Sequence, residues 1–189
     1  MAQTWRVARD SSNRNRETLR PPLDRAGLER LALHYLGRYA TTRARLATYL
    51  NRKLDERGWG EDGPRPVAEI VARMTALSYV DDRAFADMRS ASLARRGYGQ
   101  RRQADALRAA GVDEADRTAV FDARMETDGD GAHAAALAFA RRRRIGPFAA
   151  TPGDPDTRRK ALAAMMRAGH GYDIARRFVD AAPGEVPED

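Results

Sequence analysis

The chain has 189 residues and a formal net charge of +7, and Lys53 and Lys160 are its only lysines, so nearly all of the positive charge is guanidinium. This balance favours polyanionic partners, because arginine presents a planar set of donors to phosphate or carboxylate. Cysteine is absent, which excludes disulfides and thiolate chemistry and fits a cytoplasmic protein, and no apolar run is long enough for a membrane span or a signal peptide.

Residues 1–22 lack apolar periodicity, contain five arginines and end in Pro21-Pro22, which predicts a flexible basic arm. Three short helices are then expected in a module at 23–79. The second is capped by Thr41 or Thr42 and ended by Gly58. Apolar residues at helical spacing predict the first and third helices, namely Leu28, Leu31, Ala32, Tyr35, Leu36 and Tyr39, then Val67, Ile70, Val71, Met74 and Leu77.

The stretch 78–112 predicts a helix, a glycine elbow and a second helix. Asp81 and Asp82 supply an N-cap and a negative first turn, and the elbow is Gly97-Tyr98-Gly99. The apolar face of the first helix is predicted to contain Phe85, Met88 and Ser92 or Leu93. A further helix starting near Asp113 completes a second module at 80–127.

A third module is predicted at 128–182, after a loop at 127–131. Its first helix runs from about Ala134 into the arginine block at 141–144. Its second has Asp154 as N-cap and Pro155 in the first turn, carries Ala161, Leu162, Met165 and Met166 and ends at Gly169. Its last helix presents Ile174, Phe178 and Val179, and residues 183–189 are expected to be a frayed tail.

Three glycines mark an internal repeat. Gly58, Gly111 and Gly169 each follow a similar helix ending, at intervals of 53 and 58 residues. Modules of this size bury little core alone and are stabilised by stacking on their neighbours. No run of residues alternates with a period of two. The sequence therefore predicts an all-α fold, an elongated array of three tandem three-helix modules, acting as a monomer.

The motifs of the middle repeat resemble those of a known family. S-Y-V-D-D-x-x-F-A, R-G-Y-G-x-x-R and A-L-x-x-x-G-V between Ser78 and Val112 are similar to the central repeat of the RecX regulatory proteins of bacterial recombination, and Thr42–Gly58 is similar to their first repeat. Two positions depart from the family pattern. Arg45 replaces a usual Glu and makes the surface more basic, and Gln103 replaces a usual core Ile and bears on the packing of the middle repeat.

The resemblance implies a non-catalytic regulator without cofactors. Its partner would be the RecA recombinase filament on DNA, and its effect would be to restrain ATP hydrolysis, strand exchange and co-protease activity. A competing hypothesis is a regulator that binds DNA directly, because short helices with basic faces resemble helix-turn-helix domains. A nucleotide-dependent enzyme is a weaker third, since the sequence has no G-x-x-x-x-G-K-[ST] loop.

The candidate partner-binding residues are basic side chains near the elbows, with one tyrosine between them. Arg101 and Arg102 lie more than 100° around their helix from Leu107 and should point away from the core. For any arginine taken singly, a solvated side chain on a helix face is the favoured interpretation. The set is Arg95, Arg96, Tyr98, Arg101, Arg102, Arg141, Arg142, Arg143, Arg144, Arg158, Arg159 and Lys160.

No catalytic or metal-binding group is predicted. His34, His133 and His170 are far apart in the sequence and lack partners at metal-ligand spacing, so structural or solvated histidines are expected. The adjacent pair Asp81 and Asp82 is explained by helix capping rather than by catalysis.

Overall fold

A computed structural model describes residues 21–128 and 131–188. Over these ranges the chain forms nine α-helices and no strand, which confirms the all-α prediction. The predicted basic arm at 1–22 lies outside the described residues except for its last two prolines. The first helix group contains α1 (Arg25–Leu36), α2 (Arg43–Arg57) and α3 (Val67–Ala76). The second contains α4 (Asp82–Arg95), α5 (Gln100–Arg108) and α6 (Glu114–Asp128). The third contains α7 (Gly131–Arg143), a 3-10 turn (Gly146–Phe148), α8 (Pro155–Arg167) and α9 (Tyr172–Asp180).

Helix starts follow the predicted capping residues. The side chains of Thr42, Asp81, Asp113 and Asp154 each accept a hydrogen bond from a backbone N–H three residues later, at 2.7–3.2 Å. Between the two predicted alternatives the structure selects Thr42. Local capping chemistry therefore sets where α2, α4, α6 and α8 begin.

Three hydrophobic cores follow one another along the chain. The first extends from Leu23 to Val80, the second from Phe85 to Val120 and the third from Ala136 to Val179. Val80 packs in the first core and Tyr98 lies against the third, so side chains cross from one helix group to the next. The module boundaries 23–79, 80–127 and 128–182 and the elongated shape stay predictions.

Four predicted core residues are exposed instead. Tyr39 and Leu77 lie beyond the ends of α1 and α3, where the helical period no longer directs them inward. Met88 and Met166 lie on the outer faces of their helices, and in α4 the buried face passes through small residues, Ala86 and Ser90. Apolar spacing alone therefore misassigned the inner face at these positions.

The polypeptide after α9 also differs from the prediction. Gly184 N donates to Pro147 O at 2.9 Å, and Arg177 Nη1 donates to Glu188 O at 3.2 Å. These bonds attach residues 184–188 to the third helix group, where a frayed tail was expected. The predicted loop at 127–131 is shorter as well, because α6 continues to Asp128 and α7 begins at Gly131.

The first and second helix groups meet at the start of α2, in what we call the first junction. Thr42 Oγ1 donates to the carbonyl oxygen of Ala110 at 2.6 Å, and the bond is buried. Gly111, at φ +77°, lies so close to α2 that a Cβ added to it would be 2.3 Å from Ala44 Cβ. Only glycine fits there, because both the backbone conformation and the available space exclude a side chain.

A single arginine adds charge to the first junction. Arg43 Nε lies 3.0 Å from the buried carboxylate of Asp82, and its Nη2 lies 2.9 Å from Asp113 and 3.3 Å from Asp116. The hydrogen bond to Asp82 and its charge raise the pKa of Arg43 above its ordinary value. Arg43 thus joins α2 to the acidic N-termini of α4 and α6, where negative charge also favours the helix dipoles.

Phe85→Ala should destabilise the protein by about 3 kcal/mol or more, because the ring is only 7% exposed and its removal leaves a cavity in the second core. Chemical denaturation measures the free energy of unfolding. Met88→Ala on the same helix is the control, since Met88 is 52% exposed and should change stability by less than about 0.5 kcal/mol. Equal losses for the two variants would contradict this assignment of the α4 faces.

Candidate interaction surface

The predicted elbow between α4 and α5 lies against the end of α8, in what we call the second junction. Gly99 N donates to Ala168 O at 2.9 Å, and Arg101 N lies 3.3 Å from Gly169 O. A Cβ added to Gly99 would be 2.3 Å from Gly169 O. The elbow is therefore held against α8 in part by direct contact between two backbones.

The arginines around the elbow point outward. Arg95, Arg96, Arg101 and Arg102 are all exposed, as the helical phase predicts for the last two. No ion pair is formed by these four guanidinium groups within the described ranges. We call them the elbow arginines.

Tyr98 is half-buried and lies against the third core. The guanidinium carbon of Arg142 is 5.8 Å from its ring centroid and 5.6 Å from that of Phe139. Arg142 Nη1 also donates to the backbone carbonyl of Arg96. Arg142 thus fastens α7 to the elbow, and both it and Tyr98 contribute to the second junction.

Of the remaining predicted residues, two contact side chains of their own helix group and the others line a cavity. Arg141 lies 5.3 Å from the ring centroid of Phe148, and Arg159 pairs with Asp156 at 3.2 Å. The others line one cavity of about 620 Å³ bounded by the end of α7, by α8 and by the end of α9. We call this the cationic cavity, and its basic residues are Arg143, Arg144, Arg158, Lys160 and Arg167. Arg167 is not among the residues predicted from the sequence, because it lies outside the arginine runs.

His170 is a structural group in the second junction. It is 2% exposed, its Nε2–H donates to the Gly97 carbonyl at 3.1 Å, and its ring meets the Phe139 ring edge-on with centroids 5.4 Å apart. Burial lowers the pKa of His170, and the bond to Gly97 opposes that effect only in part. Over the described ranges, no cluster of three His, Cys, Asp or Glu side chains could hold a metal ion, nor is any helix long and apolar enough to span a membrane.

Comparison with known proteins identifies relatives of this chain. No family model matches the sequence. Over 163 residues the chain is 37% identical to a curated protein of Myxococcus xanthus (strain DK1622) named regulatory protein RecX, covering 82% of this chain and 86% of that protein. The chain belongs to the RecX family.

Crystal structures of two RecX proteins have the same fold. RecX from Lactobacillus salivarius superposes with a TM-score of 0.59 at 18% identity, covering 82% of this chain and 93% of that one. A second RecX structure gives a TM-score of 0.57 at 20% identity, covering 82% and 73%. The helical arrangement is thus shared between sequences that have diverged widely.

The two departures from the RecX motifs are accommodated locally. Gln103 is buried, and its Nε2 donates to Tyr98 O at 2.7 Å while its Oε1 accepts from Arg124 at 3.4 Å, so its polar atoms are paired. The guanidinium carbon of Arg45 lies 5.6 Å from the Phe85 ring centroid. Arg45 thus adds exposed charge, as predicted, and also lies over the second core.

Two features of this RecX protein were not anticipated from its sequence. One is the ion-pair cluster around Arg43, whose partners are up to 73 residues away. The other is a tyrosine row, in which Tyr35 stacks on Tyr49 with centroids 4.2 Å apart and contacts the exposed Tyr39 at 5.2 Å. Arg52 lies 5.7 Å from the Tyr49 ring. The spacing of Tyr35 and Tyr39 could have suggested the row, whereas the position of Tyr49 depends on tertiary packing.

Gly99→Ala should lower the free energy of unfolding by about 1–3 kcal/mol, because the new methyl group meets backbone atoms of Gly169 that cannot move aside cheaply. Gly171→Ala is a matched control, since Gly171 is also an extended N-cap and has nothing within 4 Å of an added Cβ. Thermal or urea unfolding gives the comparison. If both variants were as stable as the wild type, the second junction would accommodate a methyl group at Gly99, which would contradict this geometry.

The stability of the protein should decrease as the pH falls below about 6.5, because unfolding frees His170 to bind a proton that its buried site disfavours. This contribution is complete above the unfolded pKa and is lost as the pH falls towards the lower folded pKa. His170→Gln keeps an amide donor but does not titrate. Melting temperatures at about pH 7.5 and 5.5 should therefore differ more for the wild type than for the variant. Parallel pH dependences would show that His170 is not the group responsible.

Proposed function

We propose that this protein binds the RecA recombinase filament on DNA in the cytoplasm and restrains its ATP hydrolysis, strand exchange and co-protease activity. The observation that carries the proposal is membership of the RecX family, through 37% identity to a protein named as a regulator. The protein acts by binding rather than by catalysis. Its net charge of +7 suits a partner that is an assembly of protein and nucleic acid.

The elbow arginines are the part of the proposed surface that is best prepared for binding. Their backbone is fixed by the hydrogen bonds of Gly99 and Arg101 to the end of α8, so binding has to order side chains but not the loop. Preorganisation of this kind reduces the entropy lost on association. Arg141–Arg144, at the end of α7 and just beyond it, and Arg158–Lys160 on α8 supply further contacts. Several weak contacts on one filament reinforce each other.

Direct DNA binding is the second candidate, and the tyrosine row favours it. Tyr39 is exposed at one end of the row, and Arg52 lies beside Tyr49 at the other. Aromatic rings next to cationic side chains are the elements on which unpaired bases stack. A protein of this kind would bind single strands without the recombinase.

Affinity measurements separate the two candidates. Binding is compared for preformed RecA filaments, naked single-stranded DNA and naked double-stranded DNA at about 150 mM salt, where phosphate contacts alone are already weakened. The filament hypothesis requires markedly tighter binding to filaments. Equal or tighter binding to naked single strands, abolished by Tyr39→Ala, would favour direct DNA recognition instead.

Replacing Arg101 and Arg102 together by Glu should raise the protein concentration needed to suppress RecA ATP hydrolysis by at least ~10-fold, because attraction to an anionic surface becomes repulsion. Far-UV circular dichroism and melting should stay close to those of the wild type, since both side chains are exposed.

The matched control reverses two exposed arginines outside the proposed surface. Arg38 and Arg89 are exposed and form no ion pair with any described residue, so Arg38→Glu with Arg89→Glu changes the net charge equally. Equal loss of inhibition in both double variants would indicate an effect of net charge. Full inhibition by the well-folded Arg101/Arg102 variant would place the binding surface elsewhere.

A further inference from the structure

The cationic cavity combines a basic rim with an apolar floor. Five cations surround it, and its apolar lining includes the half-buried Ala161 and Ala164 with the edges of Ile145 and Val179, which are otherwise buried in the third core. Its volume of about 620 Å³ lies within the range of ligand-binding clefts. A surface of this composition suits an occupant that presents both negative charge and apolar groups.

The charges on the rim are only partly balanced inside the protein, where Lys160 interacts electrostatically with the exposed N-cap Asp154 of α8. Arg144, Arg158, Lys160 and Arg167 form no ion pair with a described residue, and all four are exposed or lie at the rim. Among the described residues, Asp180 is the only acidic one that lines the cavity, and its carboxylate already accepts from Arg176 Nε at 3.2 Å. The cavity therefore has an excess of positive charge available to a ligand.

The cationic cavity lies at the start of α8, which is the middle helix of the third group. The corresponding positions in the other groups are the starts of α2 and α5, and both are covered by other parts of the protein. The start of α2 is covered by the second helix group at the first junction, and the start of α5 is covered by the third group at the second junction. At the first junction the covering groups are acidic helix N-termini, since Asp82 and Asp113 meet Arg43. Helix starts that carry carboxylates are thus one of the docking modes that this fold uses.

The start of α8 is the corresponding position in the third group. Gly153, Thr157 and Arg158 lie there and line the cationic cavity. Within the ranges that the structure describes, the helices that bound the cavity there, α7 and α9, belong to the same group as α8. The repeated architecture therefore leaves, at α8, a basic docking position whose equivalents at α2 and α5 are both filled.

We propose that the cationic cavity seats the acidic N-terminal end of a helix belonging to the protein partner, an inference that rests on the proposed function. The carboxylates of an N-cap and first turn would pair with Arg158 and Lys160, and apolar residues at the helix start would cover the floor. A phosphodiester backbone is fully hydrated and would leave that floor uncovered. A protein helix therefore fits the cavity better than nucleic acid does.

The test uses a synthetic, alanine-based helical peptide of about 15 residues that begins Ser-Asp-Asp-Glu, a matched peptide that begins Ser-Asn-Asn-Gln, and an oligothymidylate. Each is labelled and titrated with the full-length protein at about 150 mM salt. The acidic peptide should bind at least ~10-fold tighter than its amide counterpart. Arg158→Glu with Lys160→Glu should remove that preference, whereas the Arg38/Arg89 control should retain it.

Filament binding is measured with the same variants. The Arg158/Lys160 variant should bind RecA filaments at least ~10-fold more weakly than the control does. Retained peptide preference in this variant would overturn the proposal, as would loss of oligothymidylate binding without loss of peptide binding. If the wild-type protein bound the acidic peptide but not RecA filaments, the cavity would still be a site for acidic helix starts, and the proposed function would be refuted.

Discussion

At the C-terminal ends of α5 and α8, the middle helices of the second and third groups, there is no room for a side chain. Gly111 and Gly169 both have positive φ, and a Cβ on either would lie within 2.4 Å of the preceding middle helix, at Ala44 or at Arg102 N. These two close approaches set the distance between neighbouring helix groups. The approach at Gly169 also places the elbow, because Gly99 and Arg101 donate hydrogen bonds to the same segment.

Because the second junction is formed largely between backbones, most side chains beside it remain available to bind a partner. At the second junction the hydrogen bonds come from Gly99 N and Arg101 N, so the guanidinium groups beside them are not consumed in holding the fold. Arg142 is the exception, because it donates to Arg96 O and lies over two aromatic rings. Within the run Arg141–Arg144, Arg142 is therefore less available to a partner than an arginine that has no contact inside the protein.

The sequence was sufficient for features that depend on near neighbours. N-caps such as Asp81 and Asp154, the glycine stops and the all-α class could all be predicted, because each depends on residues a few positions apart. The inner face of α4 could not, since Ala86 and Ser90 are buried by other helices rather than by their own hydrophobicity. The three carboxylates around Arg43 and the gathering of Arg143, Arg158 and Arg167 at one cavity also required the fold, because they join distant segments.

The two junctions respond differently to the solvent. The first depends in part on Arg43 and three carboxylates, of which Asp113 is largely exposed, and dissolved ions screen such pairs. The second depends mainly on backbone hydrogen bonds, steric contact and the neutral side chain of His170, which salt hardly affects, and Arg142 is its one cationic contributor among the described residues. Rising ionic strength therefore weakens only the charged part of the first junction, while the buried bond from Thr42 and the close approach at Gly111 remain.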